Sequence, residues 1–379
     1  MGKNKILILD GQHKNTLAII RHLGRTGLYE IHVVSYQKFS ISFFSKYTQE
    51  KLVITDPKKN AEFYIRDLLQ LLQNDHYLVL IPVSYISFLL CSTYKESILK
   101  HTHISIAKEE SIKTASSKIA TYLLARQLEI PYPDFIEVDQ IDEVKNIGIS
   151  YPCVIKAPYE IGKTVVEYAG NKTELIEKYT KMCKVYNFTE KLPIVQKYIQ
   201  GEGVGFFAFY QKGVCKSIFV HKRLREYPVT GGASTAAEGF YNRQVIDNGK
   251  KILDHLQWEG VAMVEFKKDN STGLYNIMEI NAKFWGSLDL ALFSGVNFPQ
   301  MMIDDALNKD IPFSEDYKRI RYQWILNGDL FHVLEKPSHI LLFIRDLFIA
   351  KNDFYFTDIK PNLFQIIFIP IHYYKKWFK

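Results

Sequence analysis

Three oxygen-bearing side chains in the last third of the chain have the types and spacing of a divalent-cation site. Glu279 and Asn281 are two residues apart in a strand-like segment, so their side chains project to one face of a sheet. Glu265 lies between Val264 and Phe266, where an ionised carboxylate is costly unless it binds a cation. Two carboxylates and an amide oxygen suit Mg²⁺, which also takes phosphate oxygens. The alternative, three polar residues on the solvated face of a hairpin, has equal weight on spacing alone.

Two strands joined by a tight turn must position these side chains. We predict strands over 260–268 and 273–281, because Asp-Asn-Ser-Thr-Gly at 269–273 supplies the backbone freedom of a hairpin turn. The preceding pattern from residue 113 is α+β. It predicts helices over 116–127, 173–186 and 243–256, and strands over 152–157, 164–169, 193–199, 204–210 and 214–222.

Strand and helix signals alternate over residues 1–112. We predict strands over 5–9, 31–35 and 77–82 and helices over 14–26 and 57–73, which implies a parallel sheet covered by helices. The segment Asp10-Gly11-Gln12-His13 after the first strand lacks the GxGxxG fingerprint of a dinucleotide-binding domain. We therefore interpret this domain as a scaffold or a wall of the substrate site.

Composition restricts the class of protein. With 379 residues, 47% of them hydrophobic and 23% charged, the chain is a folded protein of two to three domains. The net charge is +7, and residues 318–379 hold 10 Lys or Arg against 5 Asp or Glu. A nucleic-acid-binding stripe on the main body is therefore not expected. The four cysteines have no zinc spacing, and we find neither a secretory signal nor a long apolar run, so we expect a cytoplasmic protein.

The order of these residues resembles the ATP-grasp superfamily. Glu265, then Glu279-Ile280-Asn281, then Lys283-Phe284-Trp285-Gly286-Ser287, is similar to the magnesium-binding strand pair of its carbamoyl-phosphate-synthase-like carboxylate–amine ligases. Lys283 stands where the family usually has Arg, and Lys cannot make the bidentate planar contact. The resemblance covers about residues 110–310. It implies an α/β N-terminal (pre-ATP-grasp) domain over 1–112, an α+β ATP-grasp domain over 113–312 with lobes of about 113–190 and 191–312, and a helical, aromatic-rich C-terminal extension over 313–379.

The resemblance also implies the role of individual residues. Arg223 would lie near an acyl phosphate, with Lys283 as a second catalytic cation, and 230–234 would be a substrate-facing loop. Glu265, Glu279 and Asn281 would bind Mg²⁺, with Mn²⁺ as an alternative. The expected ATP contacts are the phosphate-binding Lys118 and Lys156, the adenine-binding strand with Gln196, Lys197, Tyr198 and Ile199, and Glu202 at a ribose hydroxyl.

Residues 157–164 satisfy a loose Walker A pattern that we reject. A P-loop is followed by a helix, whereas Val165 and Val166 here begin a strand-like segment, and Pro158 removes a backbone donor. In the ATP-grasp interpretation the same segment is the phosphate-covering loop. It is poor in glycine, since only Gly162 remains before Gly170.

Two functions from different classes follow. The resemblance implies an ATP- and Mg²⁺-dependent ligase that activates a carboxylate as an acyl phosphate for attack by an amine, both of them small molecules. The alternative is a non-catalytic nucleotide-binding module in a membrane-associated or multiprotein assembly, which the glycine-poor loop and Lys283 favour. The sequence names neither the carboxylate nor the amine, and it does not fix the oligomeric state.

The region 318–379 has 14 aromatic residues among 62. Its segments 339–350 and 362–379 mix apolar residues with Lys and Arg, which is typical of a helix at a membrane interface. This interpretation predicts peripheral attachment at the inner face of a membrane. A helical layer packed on the catalytic domain or on a partner subunit is the alternative, and the sequence slightly favours it.

Overall fold

The computed structural model describes residues 3–161, 165–188 and 191–377, with side chains through residue 368. Residues 162–164, the glycine-bearing part of the expected phosphate-covering loop, lie outside the described residues. None of the described helices combines the length and the apolar character needed to cross a lipid bilayer.

The chain begins with a four-stranded parallel sheet in the order β3-β2-β1-β4. Three of its strands, β1, β2 and β4, are largely apolar because helices cover them, and Ile6, Val33 and Leu80 are fully buried, whereas the edge strand β3 is mostly exposed. The elements are β1 (Asn4–Ile8), α1 (Lys14–Gly24), β2 (Tyr29–Ser35), β3 (Glu50–Val53), α2 (Ala61–Asn74), β4 (Val79–Ile81), α3 (Tyr85–Thr93) and α4 (Lys95–Leu99).

A small lobe follows, built on a four-stranded antiparallel sheet in the order β5-β8-β6-β7. Two helices lead into it, and Ser117 caps the second by accepting the backbone N–H of Ala120 at 3.2 Å. The elements are α5 (Glu109–Ser116), α6 (Lys118–Gln127), β5 (Phe135–Ile136), β6 (Cys153–Lys156), β7 (Val166–Ala169), α7 (Lys172–Tyr186) and β8 (Ile194–Lys197).

The large lobe is built on a seven-stranded sheet in the order β13-β12-β9-β10-β11-β14-β15. Helices α8 to α10 pack against it, and Trp258 and Phe206 lie in its core. The elements are β9 (Gly203–Gln211), β10 (Val214–Tyr227), β11 (Ala233–Gly239), α8 (Arg243–His255), β12 (Gly260–Lys268), β13 (Tyr275–Asn281), α9 (Leu288–Phe293) and α10 (Phe298–Ala306).

The C-terminal region contributes two strands to the large sheet as well as helices. β14 pairs with β11, and β15 pairs with β14 in parallel. The region also packs on the first domain, since Arg21 donates to Asp358 at 2.9 Å and Phe44 stacks on Phe364. The elements are β14 (Arg321–Gln323), α11 (Leu330–Glu335), α12 (Ile340–Ile349), β15 (Lys351–Asn352) and α13 (Ile359–Trp377).

Two hydrophobic cores divide the molecule. One continuous core joins the parallel sheet to the large sheet, and it includes Ile8, Phe209 and Trp324. A second, smaller core lies inside the small lobe around Ile155 and Tyr179. The small lobe is therefore a separate packing unit, and we call the region where its residues meet those of the large lobe, as in the Lys283–Glu160 contact, the cleft.

The predicted elements through residue 281 are present, with ends that differ by a few residues. The sequence did not predict β3, β5, β11, or the helices α3 to α5, α9 and α10, and we expected residues 230–234 to be a loop that β11 now enters at Ala233. The strands of the C-terminal region were also missed, because a strand of two or three residues carries no periodic pattern. The parallel N-terminal sheet and the helical C-terminal region are as predicted.

Candidate active site

The predicted cation ligands lie together on the β12–β13 hairpin. Glu265 and Glu279 are directly opposite each other in the strand register, and Asn281 is opposite Met263, two residues further along each strand. The Asn281 amide donates to Glu279 Oε1 at 3.0 Å. The Glu265 and Glu279 side chains are 20% and 34% exposed, so both can be reached from the cleft.

Cations from two other elements hold these carboxylates. Lys118 Nζ, at the first turn of α6, is 3.3 Å from Glu279 Oε2, and Arg223 Nη2, on β10, is 2.7 Å from Glu265 Oε2. Burial opposes ionisation of Glu279, but Lys118, the Asn281 amide and Lys156 hold its pKa below the ordinary value. Burial, with the charge of Glu279 beside it, raises the pKa of Glu265 despite Arg223.

Arg223 reaches Glu265 across an intervening strand, β9. The guanidinium passes over Gly203, where a Cβ atom would lie 3.0 Å from Arg223 Cδ and 3.3 Å from its Nε. Its Nη1 also donates to the carbonyl of Gly232 at 3.1 Å and to Glu226 at 3.3 Å. The glycine on β9 therefore opens the path by which a cation from the centre of the sheet reaches the hairpin.

Lys156 is a mostly buried lysine for which the described residues supply no hydrogen bond or ion pair. It ends β6, where strand alternation places Cys153 and Ile155 in the small-lobe core and Lys156 on the opposite face. It is 9% exposed, and within the described residues its ammonium has no hydrogen bond or ion pair. Burial, then the charge of Lys118, lowers the pKa of Lys156 to about 8, although Glu279 and Glu265 act in the opposite direction.

The strand expected to bind adenine is the inner strand β8 of the small sheet. The Gln196 side chain is buried there, and its Oε1 accepts the hydroxyl of Tyr122 at 2.7 Å. Tyr122 donates in turn to the Met278 carbonyl at 3.0 Å, which ties α6, β8 and β13 together. Lys197 donates its backbone N–H to Asp134. Gln196 thus lies where the two lobes meet, and its side-chain oxygen is hydrogen-bonded to Tyr122.

Tyr198 and Ile199, just beyond β8, differ from Gln196 and Lys197. In the described part of the chain, neither backbone has a hydrogen-bond partner, as a segment that binds a base edge requires. Lys267, on the same face of β12 as Glu265, lies 4.8 Å from the centre of the Tyr198 ring. Glu202 is exposed at the start of β9.

Contacts between the two lobes enclose the same cleft. Lys283, after β13, lies 2.9 Å from Glu160 of the small lobe. Tyr168 of β7 approaches Gly231 so closely that a Cβ there would lie 2.1 Å from the tyrosine oxygen, and the φ of Gly231 is +137°. The loop expected to face the substrate is therefore in contact with the small lobe, and its position depends on that lobe.

Several site residues escaped the sequence analysis. Glu226 holds Arg223, Lys267 faces Glu265, and Tyr122 fixes Gln196. The signal for Lys267 was available, since it is two residues from Glu265 on one strand. The signal for Glu226 was not, because register shifts in β10 after Arg223 change which side chains share a face.

The oxygen atoms of Glu265, Glu279 and Asn281 could bind a hard divalent cation together with phosphate or water oxygens. In the described residues, no three His, Cys, Asp or Glu side chains form a group that could hold a metal. Two carboxylates and the Asn281 oxygen are all oxygen donors, and they leave coordination positions for phosphate or water, as Mg²⁺ bound with a nucleotide requires. In the absence of a metal, Arg223 and Lys118 balance the two carboxylates.

Sequence comparison supports the family suggested by the site. A family described as "ATP-grasp in the biosynthetic pathway with Ter operon" matches residues 215–327. A D-aspartate ligase of Enterococcus faecium (strain Aus0004) is 21% identical over 244 residues, which are 60% of this chain. The chain spans 58% of the length of that relative.

Three solved structures share the fold at 14–16% identity. An L-amino acid ligase from Bacillus licheniformis has a TM-score of 0.62 and covers 81% of this chain and 74% of its own. N5-carboxyaminoimidazole synthetase from Staphylococcus aureus, complexed with ADP, has a TM-score of 0.65. The match covers 89% of this chain and 87% of the synthetase chain. The biotin carboxylase domain of Hydrogenobacter thermophilus 2-oxoglutarate carboxylase, in complex with MgADP, has a TM-score of 0.66 and covers 84% and 73%.

The fold, the family match and the order of site residues agree. Residues 215–327 match an ATP-grasp family, most of the chain has the fold of the solved structures named above, and the predicted fold class is confirmed. The assignment of individual residues to ATP, metal and substrate stays a prediction, and so do the domain boundaries.

Proposed function

We propose that the protein is an ATP- and Mg²⁺-dependent ligase that joins a carboxylate to an amine. The observation that supports this most strongly is the position of Lys156, which is 9% exposed, has no hydrogen bond or ion pair within the described residues, and feels the charges of Glu265 and Glu279. Because burial disfavours its charge, a bound anion would favour the ammonium form. A triphosphate in the cleft compensates that charge, and Lys118 lies close enough to share it.

The remaining residues suit the parts of a nucleotide. The unpaired backbone of Tyr198 and Ile199 would meet the adenine edge, with Lys267 and the Tyr198 ring beside it and Glu202 near the ribose. Mg²⁺ held by Glu265, Glu279 and Asn281 would neutralise phosphate charge. Arg223 and Lys118, which contact Glu265 and Glu279, are the cations nearest to those phosphates in this proposal.

The chemistry proceeds in two steps. A carboxylate oxygen attacks the γ-phosphorus of ATP, the bond to the β-phosphate oxygen breaks, and ADP leaves. The amine nitrogen then attacks the acyl carbon, inorganic phosphate leaves, and the amine loses a proton. We propose that Arg223, which lies over Gly203, stabilises the transferred phosphoryl group, and that Lys283, whose charge acts on Glu279, assists it. Because the similar proteins include a D-aspartate ligase and an L-amino acid ligase, we propose that an amino acid is one substrate.

One observation favours the non-catalytic alternative. Lys283, the expected second catalytic cation, forms an ion pair with Glu160 across the lobes. In that alternative the pair would keep the cleft closed over a bound nucleotide.

Hydroxylamine separates the two functions before either natural substrate is known. It replaces the amine and converts an acyl phosphate to a hydroxamate, which a colour reaction with ferric ion detects. We expect ADP and hydroxamate in equal amounts from ATP, Mg²⁺ and at least one member of a panel of D- and L-amino acids. MgATP binding without hydroxamate or ADP across the panel would support the alternative, and absence of MgATP binding would contradict both.

Lys156 makes nucleotide binding depend on protons. Since its pKa is about 8 in the free protein, part of the population is neutral at about pH 8.5, while phosphate charge favours the ammonium. We expect MgATP binding to take up a fraction of a proton that grows between about pH 7 and pH 9. Binding enthalpies in buffers of different ionisation enthalpy measure this uptake. The Lys156→Arg variant is the control, because Arg stays charged in this range and should show no such rise.

Gly203 provides a test of the Arg223 path. In Gly203→Ala the new methyl group meets Arg223 Cδ at 3.0 Å, so the Arg223 side chain must shift by a few tenths of an ångström. We expect hydroxamate formation to fall roughly ten- to a hundredfold, because a small displacement of a charge-stabilising group is costly. Gly148→Ala is the matched control, since no atom lies within 4 Å of a Cβ there. Equal rates in the two variants would show that Arg223 does not act from this position.

A further inference from the structure

The helix α12 exposes its apolar residues and buries a charged one. A surface helix normally buries its apolar side and exposes its charges. In α12 the one buried residue is Asp346, whereas Leu341 is 76% and Phe348 is 84% exposed. Spacings of three and four residues place much of this apolar surface on one side of the helix. The exposed apolar residues of α12 are Ile340, Leu341, Leu342, Ile344, Leu347, Phe348 and Ile349.

The exposed apolar residues continue beyond α12. Phe356, in the turn before α13, is 83% exposed. In α13, Leu363, Ile366, Ile367 and Phe368 are exposed at spacings that place them on neighbouring turns. We call the exposed apolar residues of 340–368 the C-terminal apolar surface. Single exposed apolar residues are ordinary, but a series of this length marks an interaction site.

The same region directs its negative charges inward. Asp329, Asp346, Asp353 and Asp358 are each at most 4% exposed and bind cations or amides of the protein. Over the side chains described in 318–368, Glu335 is the exposed acid. Exposed cations lie in the same segment at Lys336, Arg345, Lys351 and Lys360. Residues 369–379 add Lys375, Lys376 and Lys379 and no acid.

We propose that the C-terminal apolar surface binds the interface of an anionic lipid bilayer and lies on it. Exposed leucine, isoleucine and phenylalanine would enter the boundary between headgroups and acyl chains, and the lysines would meet lipid phosphates. A second copy of the chain suits the surface less well, because a two-fold contact would bring its lysines against the same lysines with only Glu335 to balance them.

The surface is rigidly connected to the candidate active site. Asp346 of α12 accepts Arg225 Nη1 at 2.7 Å, and Arg225 lies on β10, two residues from Arg223. A bilayer bound by α12 would therefore hold the cleft at a fixed distance from the lipid surface.

Vesicle flotation tests the proposal on the full-length protein. We expect the protein to float with phosphatidylglycerol–phosphatidylcholine vesicles and to float less with phosphatidylcholine alone. Leu341→Glu/Phe348→Glu should lower the bound fraction at least about tenfold, since it removes two apolar anchors and adds charges that the lipid repels. Leu28→Glu/Val185→Glu is the matched control, because both residues are 62% exposed elsewhere in the molecule. It should float like the unmodified protein.

A second variant tests the proposal independently, in case Leu341→Glu/Phe348→Glu does not fold. Lys336→Gln/Lys351→Gln/Lys360→Gln changes exposed cations and should weaken binding to anionic vesicles alone. No flotation with either vesicle would overturn the proposal, as would flotation that none of the C-terminal variants changes. A dimer in sedimentation velocity that Leu341→Glu/Phe348→Glu dissociates, without vesicle binding, would assign the surface to a second copy instead.

Discussion

Replacing Glu279 by Gln is expected to lower hydroxamate formation by about 10²- to 10³-fold while leaving the fold intact. The carboxylate lies opposite Glu265 and accepts Lys118 and Asn281, so it joins the proposed metal site to the phosphate-binding cations. Gln keeps the size and an acceptor oxygen but removes the charge that a divalent cation requires. The rate of ADP formation with a saturating amino acid and hydroxylamine measures the effect.

Two comparisons make the Glu279→Gln result specific. Glu62→Gln changes an exposed carboxylate in α2, away from the cleft, and should have the activity of the unmodified protein. The midpoint of thermal unfolding should be nearly the same for both variants. Full activity of Glu279→Gln at saturating Mg²⁺ would refute the assignment of Glu279 as a metal ligand.

The second large effect that we expect is a loss of folding stability when Arg225 is replaced by Met. Its guanidinium donates twice to Asp329, at 2.8 Å each, and once to Asp346, and all three side chains are at most 3% exposed. Among the described residues, Arg225→Met leaves the buried Asp329 carboxylate with the Thr235 hydroxyl and the Gln323 amide as its hydrogen-bond donors. We expect the free energy of unfolding to fall by about 3–5 kcal/mol, because removing one partner of a buried pair strands the other. Urea unfolding measures it.

An exposed pair provides the contrast for Arg225. Arg243 and Asp247 form an i,i+4 pair on α8 with side chains 68% and 52% exposed. Arg243→Met should change the free energy of unfolding by less than about 1 kcal/mol. Arg225→Met/Asp329→Asn should recover part of the loss, because the stranded charge is gone. If Arg225→Met cost no more than Arg243→Met, these ion pairs would not be what holds the C-terminal region to the large sheet.

The sequence predicted the parts of the site that local patterns determine. The β12–β13 hairpin follows from alternation and a turn-forming segment, so the juxtaposition of Glu265, Glu279 and Asn281 was predictable. The approach of Lys118 and Lys156 came from the family resemblance, since nothing local brings α6 and β6 to that hairpin. The structure places both lysines there.

Interactions between distant segments could not be predicted from the sequence. The path of Arg223 depends on Gly203 in a neighbouring strand, and its partner Glu226 on bulges within β10. The sequence of 339–350 left open a helix at a membrane interface and a helical layer packed on the protein. In the structure Asp346 is the buried residue of α12, where Arg225 and Arg321 bind it, and most apolar residues of the helix are exposed.

A structure of the protein with Mg²⁺ and a non-hydrolysable ATP analogue tests the central proposal most directly. We expect the β- and γ-phosphates to contact Lys118 and Lys156, a Mg²⁺ ion to bind Glu265 and Glu279, and the adenine edge to meet the backbone of Tyr198 and Ile199. A nucleotide bound elsewhere, with Lys156 still lacking a partner and the Arg223–Glu265 contact unchanged, would contradict it.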